Sequence, residues 1–224
     1  MNAVPRILAL NPNSSEHVTQ SVVHAMRCAM PERMIDIVGV TCSDGPEGIV
    51  TQADFEDAGR RMAACASNGF SGTYDAAVIA CFSDPGLEAV RSQCAIPVIG
   101  MGEAGMRCAL RAGGRVGVVA VADAAIARHL AYWERMGVGH RVVGERALNI
   151  SVAASGDHEQ AFARMLAAAE TLRDALHADA ILLGCAGMSA LRGQLESALG
   201  VPVIDPCAAA IAAALDAVNG TVQP

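Results

Sequence analysis

The chain contains no lysine: all sixteen of its positive residues are arginine, against twenty-three aspartates and glutamates in 224 residues. An enzyme that forms a Schiff base with its substrate or with pyridoxal phosphate needs a lysine amine, and a Walker A phosphate loop needs its lysine too. Both classes are excluded. The net charge of −7 is spread without runs and leaves no basic stripe for a polyanion, so nucleic acid is not an expected partner. The longest apolar stretch, Cys207 to Leu215, falls well short of the roughly 18 residues a membrane span needs, and no membrane association is expected. Met1 to Arg6 shows no charged leader ahead of an apolar segment and a cleavage site, so a cytoplasmic location is expected. None of the eight cysteines is spaced Cys-x-x-Cys and the six histidines form no clustered pattern, so neither a zinc site nor any other metal is expected. In a reducing compartment disulfides are not expected either.

What is present is a globular composition, 53% hydrophobic, long enough for one compact unit or for two lobes of about 100 residues each. Apolar runs short enough to be buried strands alternate with helical patterns. Strands are predicted over 6–10, 35–40, 75–80, 96–99, 115–122, 180–183 and 201–204. Helices are predicted over 16–30, 54–67, 87–93, 103–111, 124–136, 158–177, 189–199 and 207–218. A break is expected over Gly69–Gly72, and residues 141–150 fit neither pattern. Alternation of this kind predicts parallel α/β sheets covered by helices on both faces. Cys28, Cys65, Cys94, Cys108 and Cys207 are expected to act as small buried hydrophobes, and Met101, Met106, Met165 and Met188 as core filling. Tyr132 and Trp133 are expected in packing or subunit contact, and Asp44, Glu47 and Asp84 as turn residues.

The halves repeat. Asp75 to Cys81 reappears as Asp179 to Cys185, and Ile96-Pro97-Val98-Ile99-Gly100 as Val201-Pro202-Val203-Ile204-Asp205 after one inserted residue. The expected fold is therefore two pseudo-symmetric α/β lobes, residues 1–100 and 101–204, with a C-terminal helix (205–224) packing back on the first. Each cysteine ends a buried strand just before a helix, where open parallel sheets put their ligands, so the site is expected in the cleft between lobes. The lobes are not equivalent. The first strand of the first half leads into Asn11-Pro12-Asn13-Ser14-Ser15, where Ser14 or Ser15 can cap a helix and Asn13 and Ser14 can hold a carbonyl or carboxylate oxygen. The second half has only Val121-Ala122-Asp123-Ala124 at that place.

Two thiols on opposite sides of a carbon acid suit inversion at that carbon. A thiol's reference pKa of about 8.5 lies near neutrality and falls further at a helix N-terminus. One sulfur can then remove a proton as thiolate while the other, still protonated, delivers one to the opposite face. Close like charges are costly, so a resting pair of one thiolate and one thiol is favoured. Backbone N–H groups around Phe82-Ser83 and Ala186-Gly187, with the Asn13-Ser14 loop, could stabilise the developing enolate oxygen, and Gly184 and Gly187 would let the backbone come close.

The whole chain resembles the aspartate/glutamate racemase superfamily, and within it the hydantoin racemase group that includes allantoin racemases. The resemblance rests on Asn11-Pro12-Asn13-Ser14, on Gly45-Pro46, on Cys81-Phe82-Ser83-Asp84-Pro85-Gly86-Leu87, and on Gly184-Cys185-Ala186-Gly187-Met188 followed by Val201-Pro202-Val203-Ile204-Asp205. It implies a cofactor-independent racemase of a 5-substituted hydantoin or related ureide. Cys81 and Cys185 would be the acid/base pair, and Asn13, Ser14, Gly45, Pro46, Phe82, Ser83, Gly184, Ala186 and Gly187 would line the substrate. A small molecule is the expected partner, and a homo-oligomer the expected assembly. Amino-acid racemases of the superfamily carry Asn-Thr after the first cysteine and Thr-His after the second; here Phe82-Ser83 and Ala186-Gly187 stand there, which disfavours a glutamate racemase. A maleate isomerase-like activity also uses both sulfurs, and a small-ligand binder would need neither. The remaining rival is local: Gly100-Met101-Gly102-Glu103-Ala104-Gly105 fits the dinucleotide fingerprint after a strand, with Asp123 beyond the next one. The repeat partner Asp205-Pro206-Cys207 lacks those glycines, so close helix–sheet packing is the expected reason for them.

Overall fold

The computed structural model describes residues 4–30, 35–67, 73–149 and 158–220; the break expected over Gly69–Gly72 lies outside these residues. The chain divides into two compact units, Met1–Ala104 with Cys207–Pro224, and Gly105–Pro206. The first unit holds β1 (Arg6–Asn11), α1 (Glu16–Cys28), β2 (Asp36–Thr41), α2 (Gln52–Ser67), β3 (Ala76–Ile79), α3 (Leu87–Gln93) and β4 (Val98–Gly100). The unit boundary falls within α4 (Met101–Ala112). The second unit follows with β5 (Val116–Ala120), α5 (Asp123–Arg135), β6 (Val142–Ala147), α6 (His158–Glu170), β7 (Ala180–Leu183), α7 (Arg192–Leu199) and β8 (Val203–Ile204). The last helix, α8 (Pro206–Val218), rejoins the first unit from Cys207 onward.

Each unit is built on a four-stranded sheet, in the order β2-β1-β3-β4 and β6-β5-β7-β8. All six pairings are parallel, with Leu10 beside Ile79 in one sheet and Val119 beside Leu183 in the other. The central strands explain the uninterrupted apolar runs. β3, β5 and β7 are buried along their whole length and β1 from Ile7 onward, because helices cover both faces and leave no polar side for alternation to mark. Leu8, Leu10, Met62, Ile79, Leu87 and Val90 form one core, and Val119, Met165, Leu172, Ile181, Leu183 and Leu195 belong to the other. Each such side chain taken out of water contributes about 1.5–3 kcal/mol. Met101, Met106, Met165 and Met188 are buried, as expected of core filling, and Trp133 is fully buried with Tyr132 stacked on it at 5.1 Å.

Three features depart from the predicted elements. Residues 142–147 form a strand, β6, although its sequence carries a glycine and two charges. Glu145 can sit inside because its Oε1 meets His129 Nδ1 of α5 at 2.5 Å, with both side chains almost wholly buried. The helix predicted to run to His177 changes to π-helical winding over Thr171–Ala175. The helix predicted from Ser189 is instead a 3₁₀ segment over Ala186–Leu191 before α7 starts. Cysteine burial is also corrected: Cys207 is buried, but Cys28 lies exposed on α1, and Cys65, Cys94 and Cys108 are only partly covered. Among the described residues no helix is long and apolar enough to cross a membrane.

Candidate active site

In a sheet ordered β2-β1-β3-β4 the chain leaves β1 toward one edge and β3 toward the other, so the loops after these two strands splay apart above the strand ends. Open α/β sheets take their ligands in that crevice. In the first unit the flanking loops are Pro12–Ser15 and Cys81–Gly86; in the second, ordered β6-β5-β7-β8, they are the segments after Ala120 and after Leu183.

The first loop is held by a buried amide. Asn11, with no exposed surface, ends β1 and donates from Nδ2 to Asn13 Oδ1 (2.9 Å), the Ser15 carbonyl (3.0 Å) and Thr19 Oγ1 (3.0 Å), while its Oδ1 accepts the Asn13 N–H at 3.1 Å. Asn13 Oδ1 also takes the Ser15 N–H at 2.9 Å, which leaves the Asn13 amide as a donor with no hydrogen bond among the described residues. Ser15, not Ser14, caps α1, accepting the Val18 N–H. The loop after β2 closes onto this one: the Ser14 N–H reaches the Pro46 carbonyl at 2.9 Å and the Cys42 N–H the Asn11 carbonyl at 3.0 Å. Asn13, Ser14, Gly45 and Pro46 are thus brought together by the fold of one unit. Below them the Cys42 thiol donates to Asp44 Oδ1 at 3.4 Å, and Arg61 of α2 pairs with the same carboxylate. Burial, reinforced by that bond to Asp44, pushes the Cys42 thiol up to about 11. The thiol's hydrogen bond, with Arg61 nearby, holds the exposed Asp44 below the usual carboxylate range.

Cys81 follows β3 beside this loop, where the Ala80 N–H bonds to the Leu10 carbonyl at 2.9 Å. Cys81 is a partly exposed thiol, whereas Phe82, Ser83 and Asp84 are buried. The turn closes through the Asp84 N–H to the Cys81 carbonyl at 3.0 Å, with Asp84 at φ +50° in the left-handed region. Its carboxylate caps α4 from outside, accepting the Gly102 N–H at 3.0 Å and the Glu103 N–H at 2.8 Å. The glycines of the apparent dinucleotide fingerprint serve this turn. A Cβ on Gly100 would lie 2.5 Å from Asp84 Oδ2, and one on Gly102 would collide with the Phe82 carbonyl oxygen. The N–H groups that a pyrophosphate would need are already bonded to a carboxylate, so this match marks close packing and not a nucleotide site.

In the second unit Cys185 follows β7 in the same way and is likewise a partly exposed thiol. Gly184 packs against β5, where a Cβ would lie 2.7 Å from the Val119 carbonyl oxygen, and its N–H bonds to that oxygen at 2.8 Å. Ala186 and Gly187 open the 3₁₀ segment, which Met188 N–H ties to the Cys185 carbonyl at 3.1 Å. Ser189 Oγ then reaches Asp205 Oδ1 at 2.7 Å, at the end of β8. Asn11 and Asp205 stand in the motifs that carry the resemblance but are given no site role by the sequence, and Ser189 is read there only as a helix start. A role for Asn11 could have been read from its place at the end of a buried strand, and one for Asp205 from its alignment with Gly100 in the repeat. Among the described residues no three histidine, cysteine or carboxylate side chains gather as a metal site.

Two parallel sheets of one strand order, each ending the same strand on a thiol, define a duplicated α/β enzyme. Residues 7–214 match the family model for Asp/Glu/hydantoin racemase. The chain is 34% identical to the hydantoin racemase of Paenarthrobacter aurescens over 221 residues, covering 92% of this chain and 87% of that protein. It is 33% identical to the hydantoin racemase of Rhizobium meliloti over 204 residues, covering 90% and 84%. Allantoin racemase from Klebsiella pneumoniae superposes with a TM-score of 0.90 at 29% identity, over 98% of this chain and 89% of that one. The chain belongs to the Asp/Glu/hydantoin racemase family and is a racemase, an isomerase.

Proposed function

We propose that this enzyme inverts C5 of a 5-substituted hydantoin, or of a related ureide such as allantoin, with Cys81 and Cys185 as its two proton carriers and no cofactor. The observation that carries the reading is topological. Each thiol follows the strand lying between the unit's first and last in its sheet, at the place where the strand order turns. The substrate class is supported by the hydantoin racemases of P. aurescens and R. meliloti and by the allantoin racemase of K. pneumoniae.

In this mechanism the thiolate of one cysteine takes the C5 proton, the C–H electron pair moves into the adjacent carbonyl as an enolate, and the other thiol gives its proton to the opposite face. One C–H bond breaks and one forms, and the pair ends with its protonation exchanged. The Asn13 side-chain NH2, which donates no hydrogen bond among the described residues while its Oδ1 is held by Asn11 and Ser15, is a ready donor to the enolate oxygen, and N–H groups of the turns after each cysteine are further donors. Phe82, Ser83, Gly184, Ala186 and Gly187 would shape the walls beside the sulfurs.

The test is to incubate each enantiomer of a 5-substituted hydantoin, and separately of allantoin, in heavy water with no cofactor added, following optical rotation and deuterium at C5 together. Deuterated product of both hands is expected. Cys81→Ser and Cys185→Ser should each lower racemisation by about 10²–10⁴-fold. Each should still exchange the C5 hydrogen of the one enantiomer that the surviving thiol deprotonates. Racemisation at the wild-type rate in either variant would defeat the reading.

A further inference from the structure

In both units the turn that carries the cysteine is tied to the end of the neighbouring strand through a buried aspartate, and the two ties run in opposite directions. In the first unit the aspartate belongs to the turn: Asp84, three residues after Cys81, reaches across to the Gly102 and Glu103 N–H groups just beyond β4. In the second unit it belongs to the far side: Asp205, just beyond β8, accepts from Ser189, four residues after Cys185. The repeat aligns Asp205 with Gly100, the residue whose missing side chain makes room for Asp84. A carboxylate therefore occupies the same gap between cysteine turn and strand end in each unit, drawn from opposite banks.

We infer that Asp84 and the Ser189–Asp205 pair are positioning residues, each fixing one sulfur on its carbon; the inference rests on the two-thiol reading above. Neither turn is self-sufficient. Asp84 sits at positive φ, a conformation that persists only while its surroundings over-determine it, and the two N–H bonds to its carboxylate supply that constraint. The segment after Cys185 is a 3₁₀ run of six residues, longer than such poorly bonded winding usually sustains, with the Ser189 bond near its middle. Proton transfer between sulfur and carbon depends on placement, and an error of about 1 Å costs about 10²-fold. Asp84 already accepts two helix N–H bonds, and Asp205 accepts the Ser189 hydroxyl; both act through the turns and not as bases at carbon.

The experiment uses the full chain with Asp84→Asn, Ser189→Ala and Ser189→Thr, and has two arms. In heavy water, Ser189→Ala should lower kcat by about tenfold or more with KM within about twofold, and raise the ratio of C5 exchange to inversion for one enantiomer only. Asp84→Asn should raise that ratio for the other enantiomer, and Ser189→Thr should restore wild-type behaviour. Independently of substrate, iodoacetamide labelling followed by peptide mapping should show the rate at Cys185 shifted by about threefold or more in Ser189→Ala with Cys81 unchanged, and the reverse in Asp84→Asn. Exchange and inversion falling in step for both enantiomers, with labelling altered at both sulfurs or neither, would overturn the inference. Ser189→Ala removes one hydroxyl and leaves both carboxylates in place, so it decides the matter if Asp84→Asn does not fold. A wild-type enzyme that neither exchanges nor inverts these substrates would defeat the two-thiol reading, while the labelling arm would still judge the ties.

Discussion

Single residues near the site differ sharply in what their chemistry allows. Cys42 lies under the Gly45-Pro46 loop with its proton committed to Asp44, so it is a poor nucleophile although it sits beneath a loop proposed to line the substrate. At pH 8 iodoacetamide should leave Cys42 unmodified in the folded protein, as peptide mapping would read. Because the folded thiol titrates at about 11 and the ordinary value is 9.0, the unfolded chain gives up this proton first as pH rises. The contribution of Cys42 to stability is thus constant below pH 9 and falls as the pH climbs from there toward 11. Cys42→Ala should flatten that fall in urea melts. Asn11 is the opposite case, a residue whose whole value is structural. Asn11→Ala would leave the buried Asn13 N–H without its acceptor and should cost about 1–3 kcal/mol by urea denaturation, with looser substrate binding. Sequence places Asn11 with Asn13 and Ser14 in one polar loop after a strand ending at Leu10; the strand in fact runs to Asn11, and its buried amide bonds join residues up to eight positions apart, which local sequence does not display.

At the level of elements, strands whose burial is purely apolar were legible, and the one whose burial is polar was not. β6 escaped because Gly144, Glu145 and Arg146 interrupt any apolar pattern, and the reason Glu145 can be inside lies on α5, sixteen residues earlier. Glu145→Ala would remove the buried carboxylate bonded to His129 and should cost about 3 kcal/mol in a denaturant titration. Helix starts were harder than strands. The 3₁₀ segment after Cys185 and the π-helical turn at Thr171–Ala175 have side-chain spacings close enough to an α-helix that periodicity merges them with it. Gly100 and Gly102 show how a motif can be right about tightness and wrong about ligand: the space they leave is filled by Asp84 and the Phe82 carbonyl. Gly102→Ala should therefore weaken folding and activity together, read by thermal melts beside turnover.

For the molecule as a whole, the duplication was visible because it is written twice in strand-ending cysteines and in the Ile-Pro-Val-Ile and Val-Pro-Val-Ile runs. Both units then share strand order and parallel pairing. What the repeat could not convey is that equal backbones solve the same local problem with aspartates on opposite sides, since a tie across space leaves no periodic mark in the chain. The two halves also differ in how they are cut from the polypeptide. One is a single continuous stretch, Gly105–Pro206; the other is assembled from two stretches that lie on either side of it. On a ribosome the embedded half can close as soon as it clears the exit tunnel, while the earlier-made half must wait, its sheet already synthesised, for α8 to arrive. Chains ending at Pro206 but tethered to the ribosome through a flexible linker long enough to span the exit tunnel should show protease protection over the second unit ahead of the first. The part made first is thereby the last to be finished.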